Sequence, residues 1–492
     1  MAIPESVSRF LAAKSGLLIG GKITAPLEGR FFDVENPATE QKLAEAPFAS
    51  AADVAKAVEA AETAFRKWRQ ESPVVRARVL RDFAKLLREN AGELGYLDAL
   101  DGGNPVHAMT QDALGAAAAC EYFAGLALEI KGQTIPGEAD FIHCTFREPY
   151  GVVGKIIPFN HPIMFAGAKL AAPLIAGNTV VMKPAEQTPM SALRMAELAR
   201  DVFPPGTVNI VTGDGPTTGR AIVTHPGIKR LALTGSVETG KAISQQAAEG
   251  GIKNITLELG GKNPMIIFPD VEDMDRAVEG AVGGMNFTWC QGQSCGSTSR
   301  LFLHSGIHDI FLERLIARAK KVRIGDPADG ATEMGCLVSR AQFDKSLKYI
   351  EAGKREGAEL RIGGGRPEQF GKGYFIAPTV FAGVKPSMSI AREEIFGPVL
   401  SVFKWDREEE VINQANGVQY GLTASIWTRD ISKAARFARS LEAGFIWINA
   451  SSRHFTGVPF GGYKQSGIGN EESLGELLSY TQTKAVNIHV AI

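Results

Sequence analysis

The chain has 492 residues, 45% apolar and 22% charged, with a formal charge of −1. That length exceeds what one hydrophobic core serves, so a soluble protein of two or more domains is expected. The near-zero charge offers no field for nucleic acid or an anionic membrane, and no run of about 20 apolar residues promises a membrane span.

Five cysteines, an odd number without repeated spacing, make no disulfide framework. The start, Met-Ala-Ile-Pro-Glu-Ser, lacks the basic and apolar regions of a signal peptide. A reducing, cytoplasmic setting is therefore expected. Cys120, Cys144 and Cys336 are read as small buried apolar residues.

A helix is expected over 51–68, where Ser50 and Asp53 form a capping box and Val54, Val58, Ala61, Phe65 and Trp68 recur at helical spacing. Residues 74–90 repeat the pattern. Residues 141–149 read as a strand outside the alternation that follows. From 151 onward, strands at 151–157, 179–182, 208–211, 230–233 and 264–268 alternate with helices near 191–202, 216–224 and 238–249. Such alternation predicts βαβ units and a parallel sheet. A second alternation has strands near 301–304, 398–404, 422–427 and 444–448 and helices near 307–321, 407–415 and 431–441. The expected fold class is α/β, with two open α/β domains in tandem. Residues 480–490 alternate as a late strand, open to pairing with another chain or to an ordinary hairpin within its own.

Ligands of open α/β sheets bind outside the carboxyl ends of the strands. Three polar clusters fall there: Asn160-His161, Lys183 with Glu186, and Thr234-Gly235-Ser236. A lysine and an acid after a strand suit a nucleotide ribose, and the acid disfavours a 2′-phosphate, which favours NAD over NADP. Gly235-Ser236 opening a helix suits a pyrophosphate, through free amides and the helix dipole. Gly213 and Gly215 form only a partial glycine fingerprint, with Gly219 one position late.

The chemistry collects around Cys295, in Gln-Gly-Gln-Ser-Cys-Gly-Ser-Thr-Ser-Arg (291–300), a polar glycine-rich setting unsuited to a packed core. The Asn160 amide suits an oxyanion, a donor typically worth ~10²–10³ in rate. Glu258 precedes Gly260-Gly261, which allow close backbone approach, and in an apolar pocket it would serve as a base. Thiol, amide and carboxylate are the parts that turn an aldehyde into a thioester and hydrolyse it.

These residues resemble the NAD(P)-dependent aldehyde dehydrogenase superfamily. The motifs are Pro-Phe-Asn-His-Pro at 158–162, Lys-Pro-Ala-Glu-Gln-Thr-Pro at 183–189, Leu-Thr-Gly-Ser at 233–236, Leu-Glu-Leu-Gly-Gly-Lys at 257–262, Gly-Gln-Ser-Cys at 292–295, Glu-Glu-Ile-Phe-Gly-Pro-Val at 393–399 and Pro-Phe-Gly-Gly-Tyr-Lys-Gln-Ser-Gly at 459–467. The resemblance implies Cys295 as nucleophile, Asn160 and the Cys295 amide as oxyanion hole, Glu258 as deacylation base and Lys169 in a proton relay. Lys183 and Glu186 would hold the adenosine ribose, and Gly215, Gly235 and Ser236 would lie near the phosphates. Glu394 would hold the nicotinamide ribose, with Phe396 near the ring, and Phe159 stands where many members have Trp.

The implied fold is a Rossmann-like NAD-binding domain (1–127 and 150–260), a catalytic domain (261–460) and a small β oligomerisation domain (128–149 and 477–492). A homodimer or homotetramer is implied, with an aldehyde as substrate, NAD (NADP possible) as cofactor, and no metal, nucleic acid or membrane.

Ala168 lies where many members carry Trp, and Phe165, Trp289 and Phe460 match tunnel positions, implying a bulky apolar or aromatic aldehyde. Arg453 and His454 fall in a loop near the far end of the tunnel; were Arg453 to bind a distal carboxylate, the enzyme would be a semialdehyde dehydrogenase. Asn470 replaces a common Arg, so an ion pair there would be missing. A non-catalytic role conflicts with the presence of both nucleophile and base, and a redox-free thiol esterase would not need Lys183, Glu186 and Glu394 together.

Overall fold

A computed structural model describes residues 3–490. Two large sheets carry the fold. The first has eight strands in the spatial order Lys22–Thr24, Leu17–Ile19, Val208–Ile210, Thr179–Lys183, Val152–Ile156, Ile228–Thr234, Asn254–Glu258 and Gly467–Ile468. The five strands from Val208–Ile210 to Asn254–Glu258 are mutually parallel. Both faces of the sheet are buried, which is why its strands read as continuous apolar runs. In Thr179–Lys183, Val180 and Met182 enter one core while Val181 enters the other.

The second sheet has seven strands in the order Glu359–Ile362, Thr379–Ala382, Val399–Trp405, Arg300–His304, Pro264–Ile267, Thr423–Trp427 and Phe445–Ile448. All pairs but the first are parallel. Leu301 and Leu303 face one core and Phe302 the other, the period-2 pattern of a strand between two layers. No helix among the described residues is long and apolar enough to cross a membrane.

The expected elements in both alternations form, with ends displaced by a few residues. The helix expected near 191–202 runs Met190–Ala199. The one near 216–224 begins as a π-helical turn, Gly215–Gly219, before Arg220–Thr224. The capping box at Ser50 and Asp53 is present: Ser50 N donates to Asp53 Oδ2 at 2.9 Å. Four long helices, Ala91–Gly102, Val106–Gly125, Pro162–Ile175 and Arg340–Arg355, were not among those expected. Ala91–Gly102 and Pro162–Ile175 are buried on nearly every side and so lack the polar stripe that marks a surface helix, while the exposed stripe of Val106–Gly125 includes Gly115, Ala118 and Gly125 and contrasts little with its buried face.

Residues 480–490 form the strand Thr481–His489, paired antiparallel along its whole length with Phe141–Pro149 of its own chain. The hairpin alternative therefore holds for that edge. Thr481–His489 lies outermost in a three-stranded sheet, so its other edge has no partner strand among the described residues. The register puts Ile142, Cys144, Phe146, Val486 and Ile488 on one face, where Ile142, Phe146 and Ile488 are exposed. Cys120 and Cys336 are buried as expected, but Cys144 is only half-buried, because this face has no covering layer.

Candidate active site

The strand Val152–Ile156 leads into a turn that ends at Asn160. His161 then caps the helix Pro162–Ile175, whose first residue, Pro162, needs no amide partner. Two side chains hold this turn from outside: Asn104 Nδ2 donates to the Asn160 carbonyl at 2.8 Å, and Ile163 N donates to Asp98 Oδ2 at 2.9 Å. Asn160 is 3% exposed, and its side-chain amide engages no partner among the described residues.

The Cys295 loop sits across from this turn. It leaves the short helix Phe287–Cys290 through Gln291 (φ 54°) and Gly292 (φ 73°), both left-handed. A side chain on Gly292 would collide with the Gly397 carbonyl, so glycine is required on two counts. Asn263 clamps the backbone of the Cys295 loop. Its Nδ2 donates to the carbonyls of Cys295 (2.7 Å) and Ser297 (2.9 Å), and its Oδ1 accepts from Thr423 N (3.0 Å). The Cys295 side chain packs against the cluster of Leu422, Phe445, Trp447 and Phe460. Burial pushes its thiol up to about 12, with the carboxylates of Glu394, Glu258 and Glu471 adding to the shift.

Glu258 ends the strand Asn254–Glu258 and is 4% exposed. Neither carboxylate oxygen has a protein partner. Burial holds its pKa well above the usual carboxylate range, Glu471 raises it further, and Lys169 opposes. Lys169 and Glu471 form a buried ion pair. Burial alone would lower the Lys169 pKa, but the carboxylates of Glu471, Glu476 and Glu472 outweigh it and keep the ammonium charged. The result is a buried line of ionisable groups running from Glu258 through Lys169 and Glu471 toward Glu476.

The ends of neighbouring strands carry groups with the chemistry of a dinucleotide site. Lys183 is 3% exposed; its Nζ donates to the Pro184 carbonyl at 3.0 Å and pairs with Glu186 at 3.3 Å. Burial lowers its pKa and the Glu186 carboxylate counteracts this. Gly235 N donates to the Glu258 carbonyl at 2.9 Å, joining the two strand ends. Exposed Ser236 caps the helix Val237–Ala247, accepting from Thr239 N at 3.1 Å and leaving helix amides free for an anion. Gly215 is exposed at the start of the π-helical turn, whose cap Asp214 lies close enough to Lys183 to raise its pKa.

Farther along, Glu394 Oε1 accepts from Gly261 N at 2.8 Å, and burial raises its pKa to about 7. Any side chain on Gly260 would overlap the Glu394 carboxylate. Phe396 (φ 59°) meets Phe159 edge to face at 5.7 Å. Two carboxylates suited to ribose hydroxyls thus flank a helix N-terminus suited to a pyrophosphate, so the residues present fit NAD.

The third side is aromatic. Phe165 and Phe460 are buried, and Ala168 and Trp289 half-buried. His454 lies 4.7 Å from the Phe460 ring and pairs with Glu472 at 2.8 Å. Arg453 is exposed, with its guanidinium over the Phe455 ring at 5.5 Å.

The model of the "Aldehyde dehydrogenase family" matches residues 24–486. The chain belongs to the aldehyde dehydrogenase family. It is 47% identical to aldehyde dehydrogenase tropH of Talaromyces stipitatus, covering 98% of this chain and 95% of that protein. It is 43% identical to retinaldehyde dehydrogenase 3 of Rattus norvegicus, over 99% of this chain and 95% of that protein. The solved NAD+ complex of an aldehyde dehydrogenase from Bacillus cereus superposes with a TM-score of 0.97 at 42% identity, covering 100% of both chains.

Within this aldehyde dehydrogenase fold, the Glu258 carboxylate lies near enough to Cys295 to raise the pKa of its thiol, and Phe460 belongs to the cluster that Cys295 packs against. Arg453 and His454 stand at the surface. Four residues that matter here were not singled out from sequence: Asp112, Asn263, Glu471 and Glu476. Asn263 follows the Leu-Glu-Leu-Gly-Gly-Lys motif directly and was accessible to a reading that asked what holds Cys295. Glu471 answers a question Lys169 raises, since a buried ammonium needs a counter-ion. Asp112 lies in an apolar helix with no motif around it.

Proposed function

We propose that this protein oxidises a bulky apolar or aromatic aldehyde to its carboxylic acid, with NAD as the oxidant. The observation that carries the reading is the buried, unpartnered Glu258 carboxylate beside the Cys295 thiol. Cys295 attacks the carbonyl carbon as its thiolate, the thiol proton leaving to solvent, and Glu258, whose pKa burial raises, is the base kept for the hydrolytic half of the reaction. The Asn160 amide and the Cys295 backbone N–H receive the developing oxyanion. The chemistry that bound NAD supplies is acceptance of a hydride, which leaves a thioester on Cys295. Lys183 and Glu186 hold the adenosine ribose, Ser236 with Gly235 and Gly215 border the phosphates, and Glu394, Phe396 and Phe159 set the nicotinamide end. Glu258 then deprotonates the water that hydrolyses the thioester, and Lys169 with Glu471 carries the proton outward.

The small Ala168 and the walls of Phe165, Trp289 and Phe460 support a large, apolar substrate, and retinaldehyde in the name of one relative is such a compound. The semialdehyde alternative asks Arg453 for a carboxylate, and its guanidinium over Phe455 argues for the apolar reading. The Glu186 charge favours NAD over NADP.

The first sheet corresponds to an NAD-binding domain (1–127 and 150–260) and the second to a catalytic domain (261–460). The third belongs to an oligomerisation domain (128–149 and 477–492) serving a cytoplasmic homodimer or homotetramer. Residues 1–2 and 491–492 of those spans lie outside the described residues. The test is a panel of aliphatic, aromatic and ω-carboxy aldehydes, each with NAD and NADP. NADH formation should be fastest with large apolar or aromatic aldehydes and should vanish in Cys295→Ala. Full activity in that variant, or a preference for ω-carboxy aldehydes, would overturn the proposal.

A further inference from the structure

One polar group stands among the aromatic residues beside Asn160 and the Cys295 loop, and none of the steps above uses it. Asp112, on the helix Val106–Gly125, is 5% exposed. Its two oxygens are divided: Oδ2 accepts from His161 Nδ1 at 2.7 Å, and Oδ1 accepts from Trp289 Nε1 at 3.3 Å. His161 directly follows the oxyanion donor Asn160, and Trp289 lies on the short helix that opens the Cys295 loop. One carboxylate therefore ties both reacting loops to a third element.

Burying a carboxylate among aromatic rings is costly unless its oxygens are hydrogen-bonded. An apolar residue would fill the place without that cost. The arrangement has a second consequence. Donation from Nδ1 to Asp112 assigns the His161 proton and leaves Nε2 as the ring's other polar atom. No described residue bonds to Nε2. The ring stands edge-on to Phe165 at 6.0 Å, and the side chain keeps 14% of its surface accessible. His161 Nε2 is thus an oriented hydrogen-bonding atom with no partner among the described residues, beside the Phe165 ring and linked through Asp112 to Trp289.

We propose that His161, oriented by Asp112, recognises a hydroxyl group on the body of the aldehyde. The preferred substrate is then a hydroxylated aromatic aldehyde. A hydroxyl both donates and accepts, so it satisfies Nε2 whether the imidazole is neutral or protonated. Asp112 is a positioning residue, acting through His161 and Trp289. This inference rests on the aromatic-aldehyde reading above.

The test compares benzaldehyde with its three ring-hydroxylated isomers, using NAD and the full-length wild type, His161→Phe and Asp112→Asn. In the wild type the best hydroxylated isomer should exceed benzaldehyde about tenfold in kcat/KM, mainly through KM, the size of one hydrogen bond made in a buried site. In both variants that ratio should fall to about 1. NAD binding, followed by protein fluorescence, reports that the variants are folded. Equal loss for benzaldehyde and its hydroxylated isomers would make the cluster a structural brace and overturn the proposal. A ratio near 1 in the wild type, with benzaldehyde well oxidised, overturns the proposal and leaves the aromatic reading standing. Failure of every aromatic aldehyde beside good turnover of aliphatic ones overturns both.

Discussion

Glu258 sits 4% exposed with both oxygens unpartnered, and such a carboxylate is stable only if it holds its proton or meets one during the reaction. Its raised pKa fixes the sign of the pH dependence: acid keeps Glu258 protonated and unable to act as a base, so turnover climbs as the pH rises through that pKa. Glu258→Gln should release one NADH per active site in a burst and then slow by ~10²–10⁴, with the rising limb lost; stopped-flow absorbance against pH checks this. The Cys295 thiol follows a parallel logic. Because burial pushes it up to about 12, its alkylation by iodoacetamide in the cofactor-free protein should rise about tenfold per pH unit through the neutral range. Peptide mass spectrometry separates Cys295 from half-buried Cys144. Cys295, Glu258 and Asn160 could be singled out from sequence because each lies in a distinctive local run. Asp112 and Glu471 could not, because their meaning comes from His161, Trp289 and Lys169, partners far away in the chain.

The segment between Asn254–Glu258 and Pro264–Ile267 links the first sheet to the second, and two of its residues carry opposite kinds of burial. Asn263 has its three hydrogen bonds filled, two of them to the Cys295 loop. Asn263→Ala should destabilise the protein by about 1–3 kcal/mol in denaturant titration and lower kcat, since the loop carbonyls lose their anchor. Lys262 is 1% exposed with its Nζ unpartnered, and burial lowers its pKa from 10.5 to about 7. Below the folded value both folded and unfolded chains carry the charge, so folding bears the full cost of burying it. Above 10.5 both are neutral and the cost disappears, so stability rises with pH between the two values. Lys262→Met should therefore stabilise the fold by roughly 2–5 kcal/mol near pH 6 and by little near pH 10.5, read as Tm across pH. Of the two strands around this segment, Pro264–Ile267 was expected as an apolar run, whereas Asn254–Glu258, with its polar Asn254 and Thr256, was not. The helix Ala91–Gly102 was not expected because burial on nearly every side erases the periodicity that identifies a helix, and Val106–Gly125 was not because its exposed stripe, with Gly115, Ala118 and Gly125, contrasts little with its buried face.

Over the whole chain, the two sheets bury their faces under helices, while the sheet containing Phe141–Pro149 and Thr481–His489 leaves Ile142, Phe146 and Ile488 exposed on one side. An apolar face beside an unpaired strand edge is the feature expected of a subunit contact. Phe146→Asp should reduce the mass measured by light scattering toward that of one 52.6 kDa chain, leaving the NAD groove intact.

The order of motifs, the alternation of strands and helices, and the distinctive local runs around Cys295, Glu258 and Asn160 could all be read before the chain was folded. Each depends on residue type at short spacing, and strand-end geometry places such residues on one edge of a sheet. The counter-ion of Lys169, the clamp on the Cys295 loop, the bond from Asp112 to His161 and the in-chain partner of Thr481–His489 belong to the folded molecule alone. These contacts join positions tens to hundreds of residues apart, and no local pattern encodes which distant polar group will meet a buried one. Packing decides that, because it removes water and obliges each buried polar group to find its partner within the protein.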